Sequence, residues 1–218
     1  MLNPCRGGYS KTLVRICKPS LGYHSGVSIS MKKVDKLISS ISSPVLTKRR
    51  NAIKRMGKIG DPIFIEHLIL AFGGDDSWVI RAEAAKALGM YHDDRLIEPF
   101  TIGTQDDSEF VRAYSTIALT RYNDDDKATI AVVRLLQDKD KDVVGLALLA
   151  LYGMKKIEES IEPLLLLYIN ENMKPSYRVV AGWILAEFTD ERIEIYATRF
   201  KSHGKRFMRK SAKEILQK

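Results

Sequence analysis

A chain of 218 residues with 45% hydrophobic content is long enough to bury a sizeable core, and its apolar residues are spread out rather than gathered into a run able to span a bilayer. A net charge of +8 invites a polyanionic partner. Two cysteines, Cys5 and Cys17, are too few for a disulfide framework or, with His24, for a zinc site.

Residues 1–30 differ from the rest: they carry Arg6, Lys11, Arg15 and Lys18, several serines and glycines, and no acidic residue. Three readings fit this basic, flexible stretch. It is an organelle transit peptide, although the apolar periodicity of such a helix is weak; a disordered basic arm; or an extension upstream of a natural start at Met31. The organised chain is expected to be one domain over residues 31–218.

From Met31 onward the sequence repeats. Arg49, Arg81, Arg112, Arg178 and Arg209 recur every 31 to 33 residues or two such periods, each opening a similar apolar stretch. Ala84, Leu88 and Gly89 correspond to Ala52, Met56 and Gly57 one period earlier; Ala181, Leu185 and Ala186 fill the same places later, and Gly145 stands where the fourth arginine is due. Small and apolar residues fall three and four apart, the spacing of one helical face. Each period therefore reads as helix, turn, helix, a unit unable to bury its apolar face without neighbours.

The turn residues agree. An aspartate oxygen accepts free backbone N–H groups at a helix start, and proline there loses no needed donor. Gly60, Asp61 and Pro62 fit this role; Asp93, Asp125 and Asp190 stand at or beside the equivalent point, and Asp76 or Ser77 and Ser108 can open first helices. First helices are expected near 44–57, 77–89, 108–121, 140–153 and 175–187, with partners near 62–73, 94–104, 125–137, 158–169 and 190–202. Leu37 and Ile41 open a half-unit before them, and Phe207, Met208, Arg209, Ala212 and Leu216 close with another. The expectation is an all-α, right-handed alpha-alpha superhelix of about twelve helices with half-repeat caps at both ends.

The order valine or isoleucine, arginine, two small residues, leucine-glycine, then aspartate before a second helix resembles the short HEAT-like repeat of the phycobilisome-lyase (PBS lyase) type. The resemblance covers nearly everything after residue 31. It implies an armadillo-like solenoid whose second helices face the concave side, and it says little about activity because such repeats serve many scaffolds. The signatures of tetratricopeptide and ankyrin repeats are absent.

On those second helices Leu68/Phe72, Phe100/Thr104, Val132/Leu136, Leu164/Tyr168 and Ala197/Lys201 are the inward pairs. Two residues before each pair stand Glu66, Glu98, Ile130, Glu162 and Ile195; one turn further on the same face stand Leu70, Ile102, Arg134, Leu166 and Arg199. Apolar residues flanked by charge in a double row mark a protein-binding groove. The plainer alternative is that Leu70, Ile102 and Leu166 contact the next repeat while the glutamates are merely solvated. An amphipathic helix or extended segment with some basic residues complements such a groove.

Charge is unevenly placed. Residues 1–58 hold thirteen basic residues against one acidic, and residues 199–218 eight against one, while the stretch between holds fourteen against twenty-five. A protein tracking a nucleic-acid backbone lines its body with positive charge, which this chain does not. The repeated arginines read as an internal ladder, with Asp76, Asp107 and Asp140 placed to pair with arginines of neighbouring units.

No catalytic constellation is found. His24, His67, His92 and His203 fall in different units, without the histidine-glutamate pairs a HEAT-like di-iron hydroxylase repeats, and no phosphate loop or nucleophile motif is present. The run Asp124, Asp125, Asp126 reads as one capping and two solvated aspartates rather than a cation site. The expectation is a non-enzymatic, cytoplasmic interaction scaffold without cofactor or metal, binding a protein segment on its concave face. Two alternatives stand beside it: a nucleic-acid binder using the basic ends, and a bilin-lyase-type chromophore-handling subunit.

Overall fold

The computed structural model describes residues 30–217; the expectations for residues 1–29 lie outside them. The described residues form twelve α-helices and no strand. They divide after Tyr122 into two compact units.

The N-terminal unit holds α1 (Met31–Ile41), α2 (Leu46–Ile59), α3 (Ile65–Gly74), α4 (Trp78–Leu88), α5 (Ile97–Gly103) and α6 (Glu109–Leu119). The first helices α2, α4 and α6 pack side by side in one layer, α3 and α5 lie in a second, and α1 packs on α2. The core between them is built from the repeated small and apolar positions: Ile53, Met56, Phe64, Leu68, Ile80, Ala84, Leu88, Leu96, Phe100 and Leu119 are all fully buried. The helices approach closely at Gly57, which stands against Ala87: the Ala87 Cβ lies 2.8 Å from where a Gly57 Cβ would stand.

The C-terminal unit holds α7 (Asp126–Arg134), α8 (Lys141–Gly153), α9 (Ile161–Ile169), α10 (Pro175–Leu185), α11 (Glu191–His203) and α12 (Arg206–Ile215). Here α10 packs on α8, α9 and α12, and α12 on α11 as well. Leu148, Leu164, Tyr168, Ala181, Leu185 and Ala197 fill its core. Gly145, which replaces the repeated arginine, has a chemical reason: a Cβ there would stand 2.5 Å from the Tyr177 hydroxyl, so the aromatic ring of α10 takes the space the longer side chain would need.

The turns follow the expected chemistry. Asp61, Asp93, Asp125 and Asp190 each accept a backbone N–H at a helix start, from Ile63, Arg95, Ala128 and Arg192 at 2.8–3.0 Å. Gly60 ends α2 at φ 69°, a left-handed conformation that costs glycine nothing. Three second helices, α3, α5 and α9, enter through a single 3-10 turn, Pro62–Phe64, Asp94–Leu96 and Glu158–Ser160, so their regular part starts about three residues later than expected, whereas α7 and α11 start within one residue of it.

Three expectations are corrected. Ser77 and Ser108 stand at the helix starts but make no side-chain cap; Asp75 and Asp106 accept their backbone N–H groups at 2.9 Å instead. Asp140 caps α8, accepting from Asp142 and Val143 at 2.8 and 3.1 Å, rather than serving an arginine. Lys201 is exposed rather than inward, because a lysine ammonium is not buried without a partner; Ala197 alone holds that pair's core place.

Candidate functional site

Burial and pairing decide whether the repeated arginines are available to a ligand. Arg49 grips Asp75 through Nε and Nη2 at 2.8 and 3.2 Å, and Arg81 grips Asp106 at 2.7 and 2.9 Å. Each arginine also donates to two loop carbonyls just before its own helix, Ser43 and Pro44 for Arg49, Asp75 and Asp76 for Arg81. The ladder foreseen in the sequence therefore exists in this unit, with the carboxylate one residue earlier than Asp76 and Asp107. Partial burial pushes the Asp106 pKa up; the Arg81 hydrogen bond and charge and the Ser108 N–H outweigh that and hold it below the ordinary value. These side chains are engaged in joining repeats.

In the C-terminal unit Arg178 is buried differently. Its Nε donates to the Tyr168 carbonyl at 2.9 Å, and its guanidinium lies 5.6 Å from the centre of the Phe200 ring, which meets Tyr168 edge-on.

The second-helix row behaves otherwise. In α3 the spacing of Ile65, Leu68, Ala71 and Phe72 turns Glu66 and Leu70 outward, and in α5 Phe100 and Gly103 do the same for Glu98 and Ile102. Leu70 is 71% exposed and Ile102 60%. In the C-terminal unit Leu166 of α9 and Ile195 of α11 are 48% and 59% exposed, Arg134, Glu162 and Arg199 are exposed too, and Ile130 of α7 is half-buried. Leu70, Ile102 and Leu166 are thus not core residues.

The glutamates of this row have a partner the sequence reading missed. Glu66 accepts from Arg95 at 2.9 Å, and Asp93 holds the same arginine from the other side at 2.7 Å. Glu162 accepts from Arg192 at 2.8 Å, with Asp190 at 2.7 Å playing the part of Asp93. Asp93 and Asp190 lie below the ordinary carboxylate value, chiefly through these arginine hydrogen bonds. The signal was legible: an aspartate, one residue, then an arginine opens the helix 27 and 28 residues after the glutamate, counted from Glu66 to Asp93 and from Glu162 to Asp190. The row is consequently less acidic than it reads, with apolar tips beside closed Glu–Arg–Asp triads.

A second exposed apolar column lies at the first-helix starts of the N-terminal unit. Leu46, Trp78 and Phe110 occupy equivalent places 32 residues apart and are 38%, 46% and 40% exposed. The Trp78 and Phe110 rings stack at 5.1 Å and 17°. The column shows in the sequence once leucine, tryptophan and phenylalanine are treated as one class.

Among the described residues no three histidine, cysteine, aspartate or glutamate side chains gather to hold a metal ion, and no helix is long and apolar enough to cross a membrane.

Several solved structures share this architecture. A designed armadillo repeat protein in complex with peptide (KR)4 matches with a TM-score of 0.59 and 17% identity, covering 84% of this chain and 97% of that one. An engineered protein matches at 0.58 and 17%, covering 86% and 96%. A computationally designed armadillo repeat protein for modular peptide recognition matches at 0.57 and 16%, covering 84% and 98%. At such identities the likeness shows the fold. The chain is an α-solenoid of armadillo-like helical repeats. No protein-family model and no curated protein matches the sequence.

Proposed function

We propose that the protein is a non-enzymatic interaction scaffold of the cytoplasm that captures a segment of another protein on its second-helix row. One observation carries this reading: large apolar side chains recur, exposed, at the same second-helix position, Leu70 and Ile102 in one unit and Leu166 in the other. A lone exposed leucine is ordinary, but a repeated series flanked by closed ion-pair triads resembles the apolar core and polar rim of an interface. The armadillo neighbours support it, since one is complexed with a peptide. Trp78 and Phe110 supply aromatic area of the kind that anchors interfaces. The suited segment offers spaced apolar side chains, with a basic residue near Glu98. The phycobilisome-lyase likeness is proposed for the repeat pattern alone.

The test is capture from a nuclease-treated native extract, with the bound fraction identified by mass spectrometry. One protein enriched by the wild type and lost with Leu70→Asp/Ile102→Asp or Leu166→Asp/Ile195→Asp, while helical circular dichroism is unchanged, supports the scaffold. Recovery of pigment or nucleic acid without a specific protein overturns it.

A further inference from the structure

The first helix pair carries a different surface. Residues 31–58 hold nine basic residues and one acidic, whereas residues 59–122 hold five basic and eleven acidic. Several of those nine are matched: Arg49 by Asp75, and Arg50 and Lys54 by Glu83 at 2.9 and 3.8 Å. Four others, Lys33 and Lys36 of α1 and Lys48 and Arg55 of α2, line one open cleft of about 550 Å³ together with Ser40 and Asn51, over a floor that includes Leu37 and Ala52. Among the described residues no carboxylate pairs with any of these four.

Like charges three residues apart on a helix, as at Lys33 and Lys36, repel, and their convergence with two further cations is unfavourable unless something negative enters. The matched arginines of the same unit show what happens where no ligand is needed. We propose that this cleft is a binding site for a short acidic polypeptide segment bearing an apolar side chain, distinct from the second-helix row. The carboxylates meet the four cations, and the apolar side chain rests on Leu37, Ala52 and the lysine stems.

Two features favour an acidic peptide over nucleic acid. Among the described residues no aromatic side chain lines the cleft, so bases find no platform to stack on there. The positive charge ends with α2, so a polyanion continuing along the unit runs onto acidic repeats, while a short segment does not. Residues 1–29 contain no acid and so lack the complementary charge.

The test is fluorescence anisotropy of the full chain with a fluorescein-labelled peptide of aspartate, glutamate and leucine, alongside labelled oligothymidine. Expected is binding to the peptide that weakens steeply with added salt and falls roughly tenfold or more in Lys36→Glu/Arg55→Glu, the scale of losing close charge pairs. Lys210→Glu/Lys213→Glu, with the same change of net charge outside the cleft, is expected to bind like wild type. So is Leu70→Asp/Ile102→Asp, which separates this site from the scaffold row. If circular dichroism shows that Lys36→Glu/Arg55→Glu fails to fold, Lys33→Gln/Lys48→Gln replaces it, with a smaller loss expected. Equal loss in the two charge-reversed variants, no binding by wild type, or tighter binding of oligothymidine overturns the proposal.

Discussion

At the scale of single residues, the glycines test how closely the helices approach. Gly182 of α10 lies against the Ser211 hydroxyl and the Tyr168 ring, both fully buried, so a methyl group has nowhere to go. Gly182→Ala is expected to cost about 1–3 kcal/mol of unfolding free energy through overpacking, read by urea denaturation. Gly73, in the last turn of α3, has nothing within 4 Å of its missing Cβ and negative φ. Gly73→Ala is expected to be stabilising by roughly 0.5–1 kcal/mol in the same assay, because alanine loses less backbone freedom in a helix. A stable Gly182→Ala protein would show that α10 and α12 can separate more easily than their packing implies.

At the scale of helices, the Arg–Asp ladder links successive repeats and makes stability depend on pH. Asp106 lies below the ordinary aspartate value because Arg81 and the Ser108 N–H favour its charged form despite partial burial. The unfolded chain, with an aspartate pKa of about 3.9, therefore binds more protons in the acid range than the folded one. The contribution is present above that value and is lost as pH falls through the lower folded value. Asp106→Asn is expected to cost about 1–3 kcal/mol at neutral pH, since the charged Arg81 loses its ion pair, and to lose less relative to wild type as the solution is acidified. Thermal melts at neutral pH and near pH 3 check both signs. Much of this element-level order was legible in the sequence, because caps and small-residue spacing are local: Asp61, Asp93, Asp125 and Asp190 cap the helices where expected. The ladder's acid was misplaced by one residue because Asp75 and Asp76, like Asp106 and Asp107, are chemically identical neighbours. Only the loop's backbone decides which of them reaches the preceding arginine. The Glu66–Arg95 and Glu162–Arg192 pairs escaped for a related reason: they join side chains 29 and 30 residues apart, and helical periodicity within one element says nothing about them.

At the scale of the molecule, each unit presents its own apolar row, so each can be silenced without touching the other. Leu70 and Ile102 are more exposed than Leu166, and the stacked Trp78 and Phe110 belong to the same unit. Burying a leucine or isoleucine side chain fully is worth about 1.5–3 kcal/mol. Two residues already partly shielded and incompletely covered by a partner should therefore contribute on the order of 2 kcal/mol together, before the added cost of burying two aspartates. Leu70→Asp/Ile102→Asp is accordingly expected to weaken a captured partner by about thirtyfold or more, since 1.4 kcal/mol is tenfold in Kd, in titration calorimetry. Leu166→Asp/Ile195→Asp should weaken it less, because Leu166 is half-covered by its own unit and offers a partner less area. Both variants should keep the wild-type melting temperature within a few degrees, since exposed side chains contribute little to folding. Binding unchanged in both, with the partner still held, would place recognition elsewhere on the surface. A large drop in melting temperature would mean instead that these side chains help stabilise the repeats, contrary to their exposure.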